Sequence, residues 1–150
     1  MTQCFAADRM LGRLARMLRL LGYDTLYSPD MTVARLREAD AERMVLTRGQ
    51  TENRFPGATN VYRLRSKHPP EQLREIVERF GLDTKSGLWT RCTLCNGSIE
   101  RVEKASVKSR VGPRLFQLYD EFFRCQGCGH VYWKGSHIER VLKNLTSLLA

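Results

Sequence analysis

Long apolar runs are missing from this sequence: no stretch approaches the roughly 18 to 20 residues that a membrane-spanning helix needs. No export leader is expected either, because the chain opens on polar residues and an acid rather than on a basic stretch followed by an apolar one. There is no low-complexity tract, and no internal repeat apart from two C-x-x-C pairs. Acids are in short supply: 16 aspartates and glutamates stand against 25 lysines and arginines, for a net charge of +9. These shortages exclude a membrane span and a disordered chain, and they predict a soluble, cytoplasmic protein with a basic surface.

At 150 residues and 42% hydrophobic, the chain can build one modest core, or a smaller core with a metal-stapled module beside it. Arginine supplies most of the positive charge, and its planar guanidinium forks suit phosphate. The partner class expected is therefore RNA, tRNA or ribosomal RNA among the candidates, rather than a membrane, since no helix keeps a broad apolar face for lipid. A protein-interaction module that meets an acidic partner is the rival reading.

Residues 1–85 alternate strand-like and helix-like stretches. Cys4 to Ala7 reads as a strand ended by Asp8. Leu11, Leu14, Ala15, Leu18 and Leu21 then recur at helical spacing, with Arg9, Arg13 and Arg16 on the opposite side. Asp24 to Tyr27 reads as a second strand, Thr32 as the cap of a helix to about Ala41, and Met44 to Thr47 as a third strand leading into a polar loop. A fourth strand is expected over Asn60–Leu64 and a helix from Pro69 to Phe80, closed by Gly81. This order implies a small, mainly parallel α/β sheet. Residues 86–150 follow a polar linker and hold strand-like pieces at Ile99–Val102 and Phe122–Arg124. They end in a helical stripe of Ile138, Val141, Leu142, Leu145 and Leu149, which Ser136 and Glu139 are expected to start as a capping box.

Cys92/Cys95 and Cys125/Cys128 carry the strongest chemical signal. Two residues between thiolates let one tight turn present both sulfurs to a single ion, and Asn96-Gly97 and Gly129 suit the left-handed backbone that often follows. Four thiolates complete a tetrahedral shell with no place for water, so a structural zinc is expected, with His130 and His137 left as non-ligands. Cys4 is read as a buried thiol. Beside the second knuckle, Trp133, Lys134 and His137 form an RNA-contact candidate with stacking faces and a cation, or else the aromatics only complete the core around the metal. Arg9, Arg13, Arg16 and Arg48 are the other RNA-binding candidates.

Asp8 and Asp30 follow the first two strands, where the carboxyl ends of parallel strands converge and where such sheets carry their chemistry. Three blocks then occur in order: A-A-D-R-M-L-G-R-L-A-R-M-L-R-L-L-G-Y-D-T, R-M-V-L-T-R, and the paired cysteines ending in C-G-H-V-Y-W-K-G-S-H. In these the chain resembles the Mut-seven C-terminal RNase domain family over nearly its whole length. The resemblance implies a PIN-like α/β domain at residues 1–85 and a zinc ribbon with a C-terminal helix at 86–150. It also implies an endoribonuclease that uses magnesium or manganese held by acids from separate strand ends, with Asp8 matching the first acid and Asp30 the second.

Where the family has an aspartate after L-T-R, this chain has Gly49. That change removes a ligand and a charge, so metal affinity and water activation should fall together. Glu52 is the candidate to reach back into the gap, with Glu38 and Asp40 as further acids on the preceding helix. A non-catalytic RNA- or ribosome-binding protein is the alternative, and an aspartate restored at 49 is expected to strengthen metal binding.

Overall fold

The computed structural model describes residues 3–150. Four parallel strands, β1 (Cys4–Ala7), β2 (Thr25–Leu26), β3 (Arg43–Thr47) and β4 (Val61–Arg63), form a sheet in the order β2-β1-β3-β4. Alternation along the strands sends side chains to opposite faces. Phe5, Ala7 and Leu46 enter a core with α1 (Gly12–Leu20) and α4 (Pro69–Phe80), while Ala6 and Val45 turn to Met31, Leu36 and Phe55 on the other side. Helices therefore cover both faces, as the parallel arrangement requires. The expected α/β class is the observed one.

Some elements differ from their sequence reading. The leucine-faced helix opens with a 3-10 turn over Arg9–Leu11, and α2 (Val33–Arg37) stops short of Ala41. The polar stretch after β3 is not all loop: Thr51–Arg54 forms the short helix α3. Two predicted features are as expected in detail. Thr32 caps α2 by accepting from the Arg35 N–H, and Gly81 ends α4 at φ +60°.

The second sheet is antiparallel, β5 (Ile99–Val102), β6 (Phe122–Cys125) and β7 (Val131–Tyr132), with α5 (Pro113–Leu118) ahead of β6. The last helix, α6 (Ser136–Leu149), starts with Gly135 as its N-cap. This corrects the expected capping box: Ser136 is already the first helical residue, and no side chain caps the end. Its apolar stripe joins two cores. Ile138 packs on the cysteine cluster, and Leu145, Leu148 and Leu149 pack with α1 and α4 in the main core. Arg74 on α4 donates to the Leu148 carbonyl and holds the far end of α6.

The two sheets are stitched together through α1 and the first knuckle. Arg19, only 3% exposed, donates from Nε to the Thr25 carbonyl and from Nη1 to those of Thr93 and Leu94. Asn96 donates to Asp24 and accepts the Thr25 N–H, and Arg43 holds the same Asp24 through both carboxylate oxygens at 2.8 and 2.9 Å. Burial pushes the Asp24 carboxyl up, but the bonds from Arg43 and Asn96 outweigh it and hold the group below its ordinary value.

Candidate functional site

The sheet order places a topological switch between β1 and β3, and their carboxyl ends carry Asp8 and Thr47. Backbone pairing fixes the two residues, because the Asp8 N–H donates to the Leu46 carbonyl. Asp8 is 3% exposed. Its Oδ1 accepts the Arg9 N–H at 2.8 Å, and its Oδ2 accepts the Thr47 hydroxyl at 2.7 Å and Arg54 Nη2 at 3.0 Å. The other Arg54 nitrogen, Nη1, donates to Thr47 Oγ1 at 3.0 Å, which also accepts the Gly49 N–H. A buried carboxylate, a buried hydroxyl and one guanidinium thus make a closed set in which each group is hydrogen-bonded to the other two.

Gly49 is what lets the guanidinium enter. A Cβ built there would lie 2.0 Å from Arg54 Nη1. Arg54 comes from the last residue of α3, whose end is held by Arg37: its guanidinium donates to the Arg54 and Asn53 carbonyls. A cation at a helix C-terminus is also favoured by the macrodipole. Neither Arg54 nor Arg37 was singled out by sequence reasoning. The available signal was a gap at Gly49 with an unassigned arginine five residues later in the same segment.

The other acids are not gathered here. Asp30 is exposed in the turn after β2, where its N–H donates to Ser28 Oγ. Glu38 and Asp40 lie around the end of α2, where Asp40 accepts the Glu42 N–H. Glu52 belongs to α3, but its side chain lies outside the described residues. Among the described residues, the sole group of three or more histidine, cysteine or acidic side chains able to share an ion is the four cysteines. The described donors at the β1–β3 edge do not fit a divalent cation: the single buried carboxylate has both oxygens engaged, and a positive group stands against it.

The sulfurs of Cys92, Cys95, Cys125 and Cys128 lie within 4.8 Å of one another. Zn–S bonds of about 2.3 Å in a tetrahedron set sulfurs about 3.8 Å apart. The Cys92–Cys128 separation is 3.8 Å and Cys95–Cys125 is 3.3 Å, so the cluster fits zinc. Asn96 at φ +74° and Gly129 at φ +78° are left-handed, as read from the sequence. Gly97 is needed on a second ground, since a Cβ there would meet Cys125 Sγ at 2.9 Å. Backbone N–H groups of Gly97 and Gly127 point at Cys95 and Cys125, and the Tyr132 hydroxyl and Cys92 Sγ share a hydrogen bond at 2.9 Å. Zinc with four thiolates carries about two negative charges, and buried Arg19 beside them supplies a counter-charge. Desolvation draws the Arg19 pKa down, and the Cys92 and Cys95 sulfurs oppose that. Burial and the Cys125 sulfur push the Cys95 thiol up to about 12. Metal binding at these sulfurs must therefore release protons.

The RNA-binding candidates are spread over the molecule. Arg9, Arg13 and Arg16 are exposed along one side of α1 and its leading turn. Arg48 is half-buried after β3 and has its Nε without a partner. Trp133 packs with Val107, Phe122 and Val131 in the small core of the second sheet. Lys134 is exposed and its Nζ lies over the Trp89 and Phe123 rings at 5.8 and 5.7 Å, while His137 is exposed on the first turn of α6. Cys4 is half-buried, with its thiol near the Glu42 carbonyl.

A family model described as the Mut7-C RNAse domain matches residues 3–145. In the same comparisons no curated protein and no solved structure matches the chain.

Proposed function

We propose, on the premise that the chain belongs to the Mut7-C RNAse domain family, that it is an RNA-binding member in which an internal cation takes the place of a catalytic metal. Membership sets an RNA-related, nuclease-type context, and cleavage and binding are the two readings within it. One observation favours binding. Arg54 reaches through the space left open by Gly49 and forms an ion pair with Asp8 at 3.0 Å. A divalent ion at this edge would need several oxygen ligands, whereas the one buried carboxylate already accepts donors on both oxygens and has a guanidinium against Oδ2. The zinc ribbon in this reading is structural, and the basic surface supplies the attraction for phosphate.

The geometry also revises what an acid at 49 is expected to do. An aspartate there would bring a Cβ to 2.0 Å from Arg54 Nη1, so the guanidinium would have to leave its place against Asp8 and Thr47, and the new carboxylate would compete with Asp8 for it. The test compares RNA binding and RNA cleavage with and without added manganese, zinc being left in place. Expected are binding that needs no added divalent ion and no manganese-stimulated cleavage in the unaltered protein. Manganese-dependent cleavage that Asp8→Asn abolishes would overturn the proposal and restore the endoribonuclease reading.

A further inference from the structure

Helix α1 and its leading turn carry Arg9, Arg13, Arg16 and Arg19 between residues 9 and 20, with no acid among them. Arg19 is consumed by the carbonyls of Thr25, Thr93 and Leu94. The other three are exposed, and their side chains make no ion pair or hydrogen bond among the described residues. Folding by itself disfavours this arrangement. Like charges three and four residues apart repel, and cations at the start of a helix oppose its macrodipole. An ordinary solvated face of this protein looks different: α4 intersperses Glu71, Glu75 and Glu78 with Arg74 and Arg79.

The row is also held in place at both ends. At its start the Arg9 N–H is bonded to Asp8, and at its finish the Arg19 guanidinium grips the Cys92–Cys95 knuckle, where Leu94 is exposed. The leucine side of the helix is locked in the main core, so the three arginines cannot turn away from solvent. We infer that the Arg9–Arg13–Arg16 side of α1 is a phosphate track for one strand of RNA, running from the Asp8–Arg54 pair to the first zinc knuckle.

The inference rests on the RNA-binding reading above and adds the path to it. Arg9 to Arg16 covers about 10 to 12 Å of axis, and since even a duplex strand carries a charge only about every 3.4 Å along its axis, the track meets at most about three phosphates of a single strand. A single row suits one strand. A duplex presents two backbones and needs a second row of cations, but the neighbouring α4 alternates in sign.

The test is titration of a labelled oligouridylate over a range of salt with the unaltered, zinc-loaded protein, with Arg13→Gln/Arg16→Gln, and with Arg114→Gln/Arg140→Gln. The last pair removes the same charge from exposed positions on α5 and α6. Glutamine keeps helix propensity close to that of arginine. Two lost single-strand contacts should flatten the salt slope by about 1.4, which over the interval from 1 M to 0.15 M salt is about a 14-fold loss of affinity. The α5/α6 control should lose far less, and the α1 variant should melt no lower than the unaltered protein, because it sheds repulsion. Unchanged affinity and slope in the α1 variant, with RNA still bound, would overturn the track alone. No binding of RNA by the unaltered protein would overturn the RNA reading itself, and α1-dependent binding to phosphatidylserine vesicles instead would assign the row to a membrane surface.

Discussion

Replacing Gly49 by alanine is the sharpest probe of the closed Asp8–Thr47–Arg54 set. The Gly49 backbone does not lie in the left-handed region, so a methyl group is conformationally acceptable there. Taken alone, the change should stabilise the protein by about 0.4–1 kcal/mol through the unfolded chain. The neighbour decides otherwise. The new Cβ would stand 2.0 Å from Arg54 Nη1, and although that atom ends a flexible side chain, it is anchored to Thr47 while Nη2 is anchored to Asp8.

Moving the guanidinium therefore breaks two hydrogen bonds, one of them between charged groups. Such a bond is worth about 1.5–3 kcal/mol. Arg54 is 26% exposed and recovers water, but the Asp8 side chain at 4% does not. The net expectation is a loss of about 1–2 kcal/mol, which lowers Tm by roughly 3–6 °C in a chain of this size. In an Arg54→Ala background the obstacle is gone and the sign reverses, so Gly49→Ala should then stabilise by up to about 1 kcal/mol. The assay is a double-mutant cycle by thermal and urea unfolding, with a coupling of about 2 kcal/mol expected. An equal shift in both backgrounds would refute the placement of Arg54.

Two further outcomes follow from the joint between the sheets. Stripping zinc should raise hydrogen exchange in β2 and at the end of α1 as well as in the ribbon, because Arg19 and Asn96 lose the knuckle that holds their partners. Exchange confined to the ribbon would show that the two parts are uncoupled. The Asp24 carboxyl is held below its ordinary value when folded, so the stability it contributes is present above about pH 4 and is lost as pH falls through the lowered value. Asp24→Asn should flatten the acid limb of a stability–pH curve, and identical limbs in both proteins would contradict the ion pair with Arg43.

What the sequence made legible is what depends on periodicity and local turns. The leucine spacing of α1, the four parallel strands and the paired knuckles all follow from residue types a few positions apart. The site was legible only in part. Asp8 at a strand end could be read directly, but its partner could not: Arg54 enters from an element four residues long, through a vacancy that exists because residue 49 has no side chain. Helices that short have no periodicity to detect. Asn96 and Arg19 posed the same difficulty. One reads as a turn residue and the other as part of a basic helix face, and only the packing of the knuckle on α1 reveals both as clamps.

The pairing of Asp8 with Arg54 also decides where attraction for RNA must come from. A phosphate approaching the carboxyl edge of the sheet meets a guanidinium whose charge is already balanced by a carboxylate at 3.0 Å, and that carboxylate is buried and held by two further donors. Displacing it would strand a negative charge in a site closed to water, a loss that an exposed phosphate contact does not offset. Arg54 is thus no free hook for phosphate, and its pair adds little net potential. The exposed arginines of α1 have no such counter-charge among the described ion pairs, and α1 itself holds no acid to offset them. It follows that Arg54→Ala should change stability far more than the salt dependence of RNA binding, while Arg13→Gln/Arg16→Gln should do the reverse. Measuring both properties on both variants separates the groups, and a salt slope that falls with Arg54 but not with α1 would place the phosphate at the sheet edge instead.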